Sequence, residues 1–145
     1  MNHTFKTTAF FLFFFLFSTG TSFSQNYGQI FSKSEANQDF GAVTSTITIT
    51  TSQLQNVLNK TANVLMFRIK DSNLLVLGDD RNVLYGSTES IPPADVYKVY
   101  SKSKINELIK SGGTNTVFIE QRENALTITI GEYTLEMGAD CPPWC

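Results

Sequence analysis

Hydrophobic and polar residues follow two regular periods in the first half of the chain. In VTSTITITT, which begins at Val43, isoleucines alternate with threonines, and this is the period of a half-buried β-strand. Ser52 follows as the expected N-cap of a helix. The apolar face of that helix consists of Leu54, Val57 and Leu58. Three apolar stretches then predict strands joined by short turns: NVLMFRIK, LLVLG and VLYG.

The second half of the chain repeats this order. VYKVYS predicts a strand, Ser103 an N-cap, and the glycines at 112 and 113 the end of a helix. Three further strands are predicted from NTVFIEQ, ALTITIG and YTLEMG. The two helix faces match at an offset of 51 residues, and the strands after them match at 52, which aligns Phe67 with Ile119. We therefore expect two tandem strand-helix-three-strand units, at about 43–86 and 96–138.

These patterns predict an α+β fold, in which a single domain has a mainly antiparallel sheet with two short helices on one face. Because each helix is too short to bury its own apolar side, the two units are expected to share one sheet. The other face of the sheet would carry threonines and charged residues, which is typical of a solvated or docking surface. These charged residues are Arg68, Lys70, Glu120 and Arg122.

Segments outside the repeated pattern complete the predicted organisation. Residues 25–42 are polar with scattered aromatics and predict an extended N-terminal arm. The α+β domain is expected at 43–140, with its two units separated by a linker at 87–95. The tail at 141–145 begins and ends with cysteine.

The first 24 residues have the pattern of a cleaved signal peptide. Lys6 is followed by the apolar run AFFLFFFLF and then by the small and polar residues STGTSFS. The run is too short to span a bilayer. No later stretch is long and apolar enough to do so, so we expect no transmembrane segment in the mature chain. The mature protein is expected to be secreted, into the periplasm or outside the cell.

Composition narrows the classes of function. Removing residues 1–24 from the 145-residue chain leaves 121 residues, with 10 basic against 13 acidic side chains and a net charge near −3. Without a basic cluster, this balance argues against nucleic acid as a partner. The only histidine, His3, lies in the removed segment, which excludes Ser-His and Cys-His nucleophiles and histidine-containing metal sites. A non-enzymatic function is therefore favoured, and an enzyme that uses carboxylates alone stays open.

The chain ends in CPPWC, which contains its only cysteines, Cys141 and Cys145. Export favours a small disulfide loop. Closing that loop needs a tight turn, which a cis bond before Pro142 or Pro143 would supply. Three other roles are possible for the two cysteines: a covalent link to a partner, a Cu(I) site, or redox catalysis. Asp140 and the terminal carboxylate argue against an active thiol, because negative neighbours raise a thiol pKa, and the nearest positive charge along the chain is Arg122.

CPPWC also resembles the Cys-Pro-x-x-Cys loop of exported copper-delivery proteins related to thioredoxin, with Cys141 and Cys145 as the matching thiolates. The resemblance covers five residues and implies Cu(I) handling. In that family a distant histidine completes the copper site, and the cysteines lie early in a thioredoxin fold. This chain departs from the family pattern on both points.

Binding is the leading functional prediction: an exported module that recognises a protein, a peptide or an envelope component and needs no cofactor. The expected contacts are the sheet edge, the linker and the tail. The candidate binding residues are Trp144, Pro92, Pro93, Tyr97 and Tyr100. The alternative is a thiol or copper-handling accessory protein that acts through Cys141 and Cys145. The turns DSN, from Asp71, and DDRN, from Asp79, offer clustered oxygens for calcium, although tight turns favour the same residues.

Overall fold

The computed structural model describes residues 26–87 and 95–142, which form ten strands and three helices. The elements of the first half are β1 (Gln29–Ser32), α1 (Lys33–Phe40), β2 (Val43–Thr50), α2 (Thr51–Leu58), β3 (Val64–Lys70), β4 (Asn73–Leu77) and β5 (Val83–Tyr85). Those of the second half are β6 (Tyr97–Ser101), α3 (Lys102–Gly112), β7 (Thr116–Arg122), β8 (Leu126–Ile130), β9 (Tyr133–Glu136) and β10 (Ala139–Cys141). The predicted signal peptide lies outside the described residues.

The strands form two five-stranded antiparallel sheets. Sheet A has the order β1-β9-β8-β7-β2, and sheet B the order β10-β6-β3-β4-β5. The prediction of a mainly antiparallel α+β fold is therefore confirmed, but the expectation of one shared sheet is wrong. The reason is an exchange of strands: β2 from the first half pairs with β7, and β6 from the second half pairs with β3. Each half thus completes the sheet of the other.

The structure has three helices in its described part, where the sequence predicts two. The additional helix, α1, lies in the segment predicted as an extended arm, and β1 precedes it and pairs with β9. Ser32 caps α1 by accepting a hydrogen bond from the Glu35 N–H at 3.2 Å, while the Glu35 carboxylate accepts one from the Ser32 N–H at 2.8 Å. Only Ala36 of this helix is buried. No apolar helical period therefore marks the segment in the sequence.

The other two helices begin two residues earlier than predicted. Their N-caps are Thr50 and Ser101, the last residues of β2 and β6, rather than Ser52 and Ser103. The Thr50 hydroxyl accepts a hydrogen bond from the Gln53 N–H at 3.1 Å, which closes a capping box. Strand and helix therefore meet without a loop.

The main core lies between the inner faces of the two sheets and includes the buried faces of α2 and α3. It is formed largely by Ile49, Leu54, Val57, Leu58, Leu65, Phe67, Leu74, Val76, Tyr100, Ile105, Leu108, Val117, Ile119, Ile128, Ile130 and Leu135. A second cluster covers the opposite face of sheet B and contains Met66, Leu77, Tyr97, Val99 and Cys141. Within 26–87 and 95–142, every helix is too short or too polar to cross a lipid bilayer.

The outer face of sheet A carries a buried polar network instead of the solvated surface expected from the sequence. Glu120 and Arg122 are only 7 % and 1 % exposed. Arg122 donates to Glu120 at 2.8 Å and to the Asn37 side chain of α1 at 2.7 Å. Hydroxyls of threonines in β8 also donate to Glu120. The expectation was wrong for these two residues because the arm segment folds into α1, which supplies a partner above the sheet.

Candidate functional site

Two residues that the sequence singled out separately lie opposite each other at one edge of sheet B. Strand β10 pairs antiparallel with β6, and in this register Cys141 faces Tyr97. Both residues have 0 % exposure. The Cys141–Pro142 peptide bond is cis. The inner end of the cysteine-bounded tail is therefore fixed to the first strand that follows the linker.

Arg81 joins these two residues. Its Nη1 donates to the Cys141 Sγ at 3.3 Å, and its guanidinium carbon lies 5.2 Å from the centroid of the Tyr97 ring. That distance is within the range of cation–π attraction. The turn between β4 and β5 supplies Arg81: its N–H donates to the Gly78 carbonyl at 2.9 Å, and its φ is +56°. Cys141 thus has a positive neighbour that is 60 residues away in sequence.

A second arginine contacts the same aromatic ring. The guanidinium carbon of Arg68 is 5.8 Å from the Tyr97 centroid, and Arg68 forms an ion pair with Asp95. Asp95 is the last residue of the predicted linker. We call the set Arg68, Arg81, Asp95, Tyr97 and Cys141 the tail–linker corner. The described ends of the tail and of the linker both lie in it.

Charged residues next to the corner form an ion-pair chain between the two sheets. Lys98 lies 2.7 Å from the Asp140 carboxylate and 3.8 Å from that of Glu136. Burial raises the pKa of the Glu136 carboxyl; Lys98 opposes this rise, and the negative charge of Asp140 adds to it. Asp140 therefore pairs with Lys98 and raises the pKa of Glu136, in addition to preceding Cys141 in the chain.

The Tyr97 hydroxyl is buried and has no hydrogen-bond partner among the residues described. Buried hydroxyl groups are normally paired, because leaving water without a partner costs free energy. Tyr100 is three residues further along β6 and therefore lies on the opposite face of sheet B, where its hydroxyl donates to the Leu126 carbonyl inside the main core. Burial raises the pKa of Tyr100 well above its usual value, with further contributions from Glu136 and Asp140.

The structure therefore brings together only part of the predicted binding set. Tyr97 belongs to the corner, whereas Tyr100 belongs to the core, and neither ring is exposed. The candidates Pro92, Pro93 and Trp144 lie outside the described residues, as does Cys145. Arg81 was missed because only the fold connects the β4–β5 turn with the tail. Asp140 is also not the only charged neighbour of Cys141, because the Arg81 guanidinium lies at the Cys141 sulfur.

A cleft of about 400 Å³ adjoins the corner, between the β7–β8 turn and strands β3 and β6. Its apolar lining includes Phe67, Ile69, Ala125 and Leu126. Both signs of charge also line it, through Arg68, Lys98, Glu123 and Asp140. Polar atoms make up most of the exposed lining, and because both signs of charge are present, the cleft suits a short peptide segment better than a strongly charged ligand.

The turn at Asp79, one of the two considered for calcium, uses its carboxylate to accept hydrogen bonds from the protein. The Asp79 carboxylate accepts hydrogen bonds from the backbone N–H groups of Ala62, Asn63 and Val64 and from the Thr61 hydroxyl. Burial tends to raise the pKa of Asp79, but the bonds from Thr61, Ala62, Asn63 and Val64 together lower it. A carboxylate surrounded by donors caps a loop rather than ligating a cation. Within the described ranges, no group of three or more acidic, histidine or cysteine side chains is placed to hold a metal.

The strand arrangement also bears on the copper-delivery resemblance. Every strand pairing among the described residues is antiparallel. A thioredoxin-like redox motif belongs instead next to a βαβ unit with parallel strands. The resemblance of CPPWC therefore stays confined to the tail.

A comparison of the chain with protein-family models gave no match. Comparisons with curated proteins and with solved structures gave none either.

Proposed function

We propose that this protein is an exported, non-enzymatic binding module that recognises a protein or peptide at the tail–linker corner. The observation that carries the proposal is the pairing of Cys141 with Tyr97, which brings the described ends of two predicted contact segments to one place. Arg68 and Arg81 flank the Tyr97 ring between these ends. Arginine is one of the residues in which binding energy is most often concentrated at interfaces, and both arginines are partly exposed, whereas Tyr97 is fully buried.

A disulfide between Cys141 and Cys145 belongs to this proposal. Its support is chemical: the chain has two cysteines, export provides an oxidising compartment, and no free cysteine occurs in the described part of the chain. A closed loop would hold Trp144 and the two prolines in a restricted set of conformations. Less conformational entropy would then be lost when a partner binds.

The cleft next to the corner indicates the kind of partner. An extended peptide would direct its polar groups to Lys98 and Glu123, because polar atoms make up most of the exposed lining of the cleft. Because both signs of charge are present, net charge alone would not select the peptide. Shape and hydrogen bonding to the lining would select the peptide instead.

The test is capture of exported host proteins on the immobilised chain, followed by affinity measurement with the captured partner. The variant Cys141→Ser/Cys145→Ser is expected to lose binding about tenfold or more while remaining folded, because the tail loses its closed form. Lys110→Ala, on the exposed side of α3, is the matched control and should bind like the wild type. Equal affinity of all three proteins would remove the tail from the proposal.

The second candidate is thiol or copper handling by Cys141 and Cys145. The observation that favours it is the 3.3 Å contact from Arg81 to the Cys141 sulfur, because a guanidinium would stabilise a thiolate if the pair were reduced. The complete burial of Cys141 weighs against it, since a reactive or metal-delivering thiol must be reached. Titration of the reduced protein with Cu(I), compared with Cys141→Ser/Cys145→Ser, decides between the candidates. Stoichiometric binding that the variant lacks would favour copper handling.

We further infer that the two halves arose from one duplicated strand-helix-three-strand unit. In sheet A, Thr50 lies opposite Thr116; in sheet B, Ser101 lies opposite Val64. The two offsets found in the sequence relate these pairs: 51 residues separate Thr50 from Ser101, and 52 residues separate Val64 from Thr116. Two halves of equal origin would explain why each first strand fits the sheet of the other half. Separate expression of residues 25–86 tests this idea, since a lone unit would lack its exchanged strand and should dimerise or stay unfolded.

A further inference from the structure

Among the described residues, strand β2 has one side without a partner strand. It forms one end of sheet A, where its pairing within residues 26–87 and 95–142 is with β7 alone. The Thr51 N–H donates to the Asn115 carbonyl at 3.1 Å, which identifies this position as a hydrogen-bonded pair. Because such pairs alternate along an antiparallel ladder, the backbone groups of Thr46 and Thr48 point away from β7, toward the open side.

In the part of the chain that the structure describes, this edge lacks the features that usually prevent pairing with another chain. Natural edge strands carry charged residues or proline, are very short, or are covered. Between Gly41 and Asn59 the chain has no charged residue and no proline, and β2 is eight residues long. Its bulge lies at one end, between Val43 and Ser45. The corresponding strand of sheet B, β6, is covered by β10.

The side chains along the open edge are self-complementary. Thr46 and Thr48 are exposed on the outer face of sheet A, and Ile47 is partly exposed on the inner face. Two antiparallel copies related by a two-fold axis at Ile47 would place Thr46 opposite Thr48 of the second copy. The same register places Ile47 against its own counterpart and Ser45 against Ile49. No like charges are opposed anywhere in this pairing.

We propose that β2 is a homodimerisation edge, at which a second copy of this chain adds its β2 antiparallel and joins the two A sheets. The interface is isologous, as in most dimers. Backbone hydrogen bonds form from Thr46 and Thr48, and Thr–Thr and Ile–Ile cross-strand pairs add to them. Because few side chains take part, the dimer dissociates on dilution. This surface is the open edge of β2 in sheet A, whereas the tail–linker corner lies on sheet B, so neither proposal depends on the other.

Sedimentation velocity of the full processed chain over a concentration series tests this proposal. The wild type should shift from monomer toward dimer as concentration rises. Thr46→Lys/Thr48→Lys opposes like charges at two cross-strand pairs and should weaken self-association about tenfold or more. Thr46→Lys/Thr48→Glu opposes unlike charges in this register and should dimerise at least as well as the wild type. Glu107→Lys, on α3, matches the change in net charge of the double-lysine variant and should leave the dimer intact.

Thermal melting of each variant verifies that the monomer is folded. This is expected because Thr46 and Thr48 are exposed and their backbone groups face away from β7. Equimolar mixing of Thr46→Lys/Thr48→Lys with Thr46→Glu/Thr48→Glu should restore a dimer that neither variant forms alone. A wild type that stays monomeric at every concentration, or a dimer that the double-lysine change does not weaken, would overturn the proposal. Binding of an unrelated extended peptide at β2 of a strictly monomeric chain would also overturn it.

Discussion

Arg122 donates a hydrogen bond to Glu120 at 2.8 Å on a sheet face where both side chains are almost completely buried. The other N–H groups of the same guanidinium donate to the Thr127 hydroxyl, the Asn37 side chain and the Gly41 carbonyl. This one side chain therefore connects β7 and β8 with α1. Buried charges of this kind are tolerated only when they are paired and hydrogen-bonded.

Replacing Arg122 should accordingly destabilise the protein more than replacing an exposed cation. Arg122→Ala leaves Glu120 buried without its counter-charge, and the expected loss in the free energy of unfolding is about 3–5 kcal/mol. Lys70→Ala, at an exposed position of β3, is the control and should change stability by less than about 0.5 kcal/mol. Urea unfolding followed by circular dichroism measures both. Equal midpoints for the two variants would show that the network does not stabilise the fold.

The cap formed by Asp79 predicts a specific dependence of stability on pH. Because its pKa is lowered in the folded state, the ionised carboxylate stabilises the protein above the unfolded-state pKa, and this contribution is lost as pH falls through the folded-state pKa. Asp79→Asn should therefore lower stability at pH 7, and its difference from the wild type should shrink in acid. Asp80→Asn, at the exposed neighbouring position, is the control. A constant difference across the pH range would contradict the assignment.

The two tyrosines of β6 should respond oppositely to loss of the hydroxyl. Tyr97→Phe removes a buried hydroxyl without a described partner, so stability should stay the same or rise. Tyr100→Phe removes the bond to the Leu126 carbonyl and should cost about 1–2 kcal/mol. Denaturant midpoints of the two variants, each compared with the wild type, are the measurement. Destabilisation by Tyr97→Phe would mean that its hydroxyl has a partner.

Arg81 should influence the tail through its contacts with Cys141 and Tyr97. Arg81→Met keeps much of the side-chain length but removes the charge at the Cys141 sulfur and over the Tyr97 ring. In the reduced protein, the Cys141 thiol should then alkylate more slowly at a given pH, because its thiolate is less stabilised. Arg68→Met, which removes the other guanidinium near Tyr97 but not the one at the sulfur, is the control. Unchanged alkylation in both variants would separate Arg81 from the chemistry of the tail.

Strong local periods in the sequence predicted most of the individual elements. The alternation around Ile47 and Ile49 marks β2, and the helical spacing of Leu54, Val57 and Leu58 marks α2. The sequence did not predict α1, because its packing depends on polar contact between Asn37 and Arg122 rather than on an apolar face. Nor did it predict two sheets, since strand order depends on contacts between distant segments.

The candidate site was only partly predictable for the same reason. Cys141 was evident from the composition of the tail, and Tyr97 was selected for its aromatic ring, but nothing in the sequence pairs them. Their contact with Arg81 spans 60 residues and requires the β4–β5 turn to lie beside β10. Arg81 has a φ of +56°, a conformation that arginine does not indicate in a sequence. The turn that places Arg81 beside the tail was therefore not predictable from its residue type.

Site-specific crosslinking tests the central claim, partner recognition at the tail–linker corner, most directly. A photoreactive amino acid is placed at Pro142, which is exposed next to Cys141, or at Lys110 on α3 as the control, and the chain is exported by its own host. The proposal predicts a discrete crosslinked product from Pro142 that is absent from Lys110 and is lost when Cys141 and Cys145 are changed to serine. Products of equal yield from both positions, or none from Pro142 while the protein still binds its partner, would contradict it.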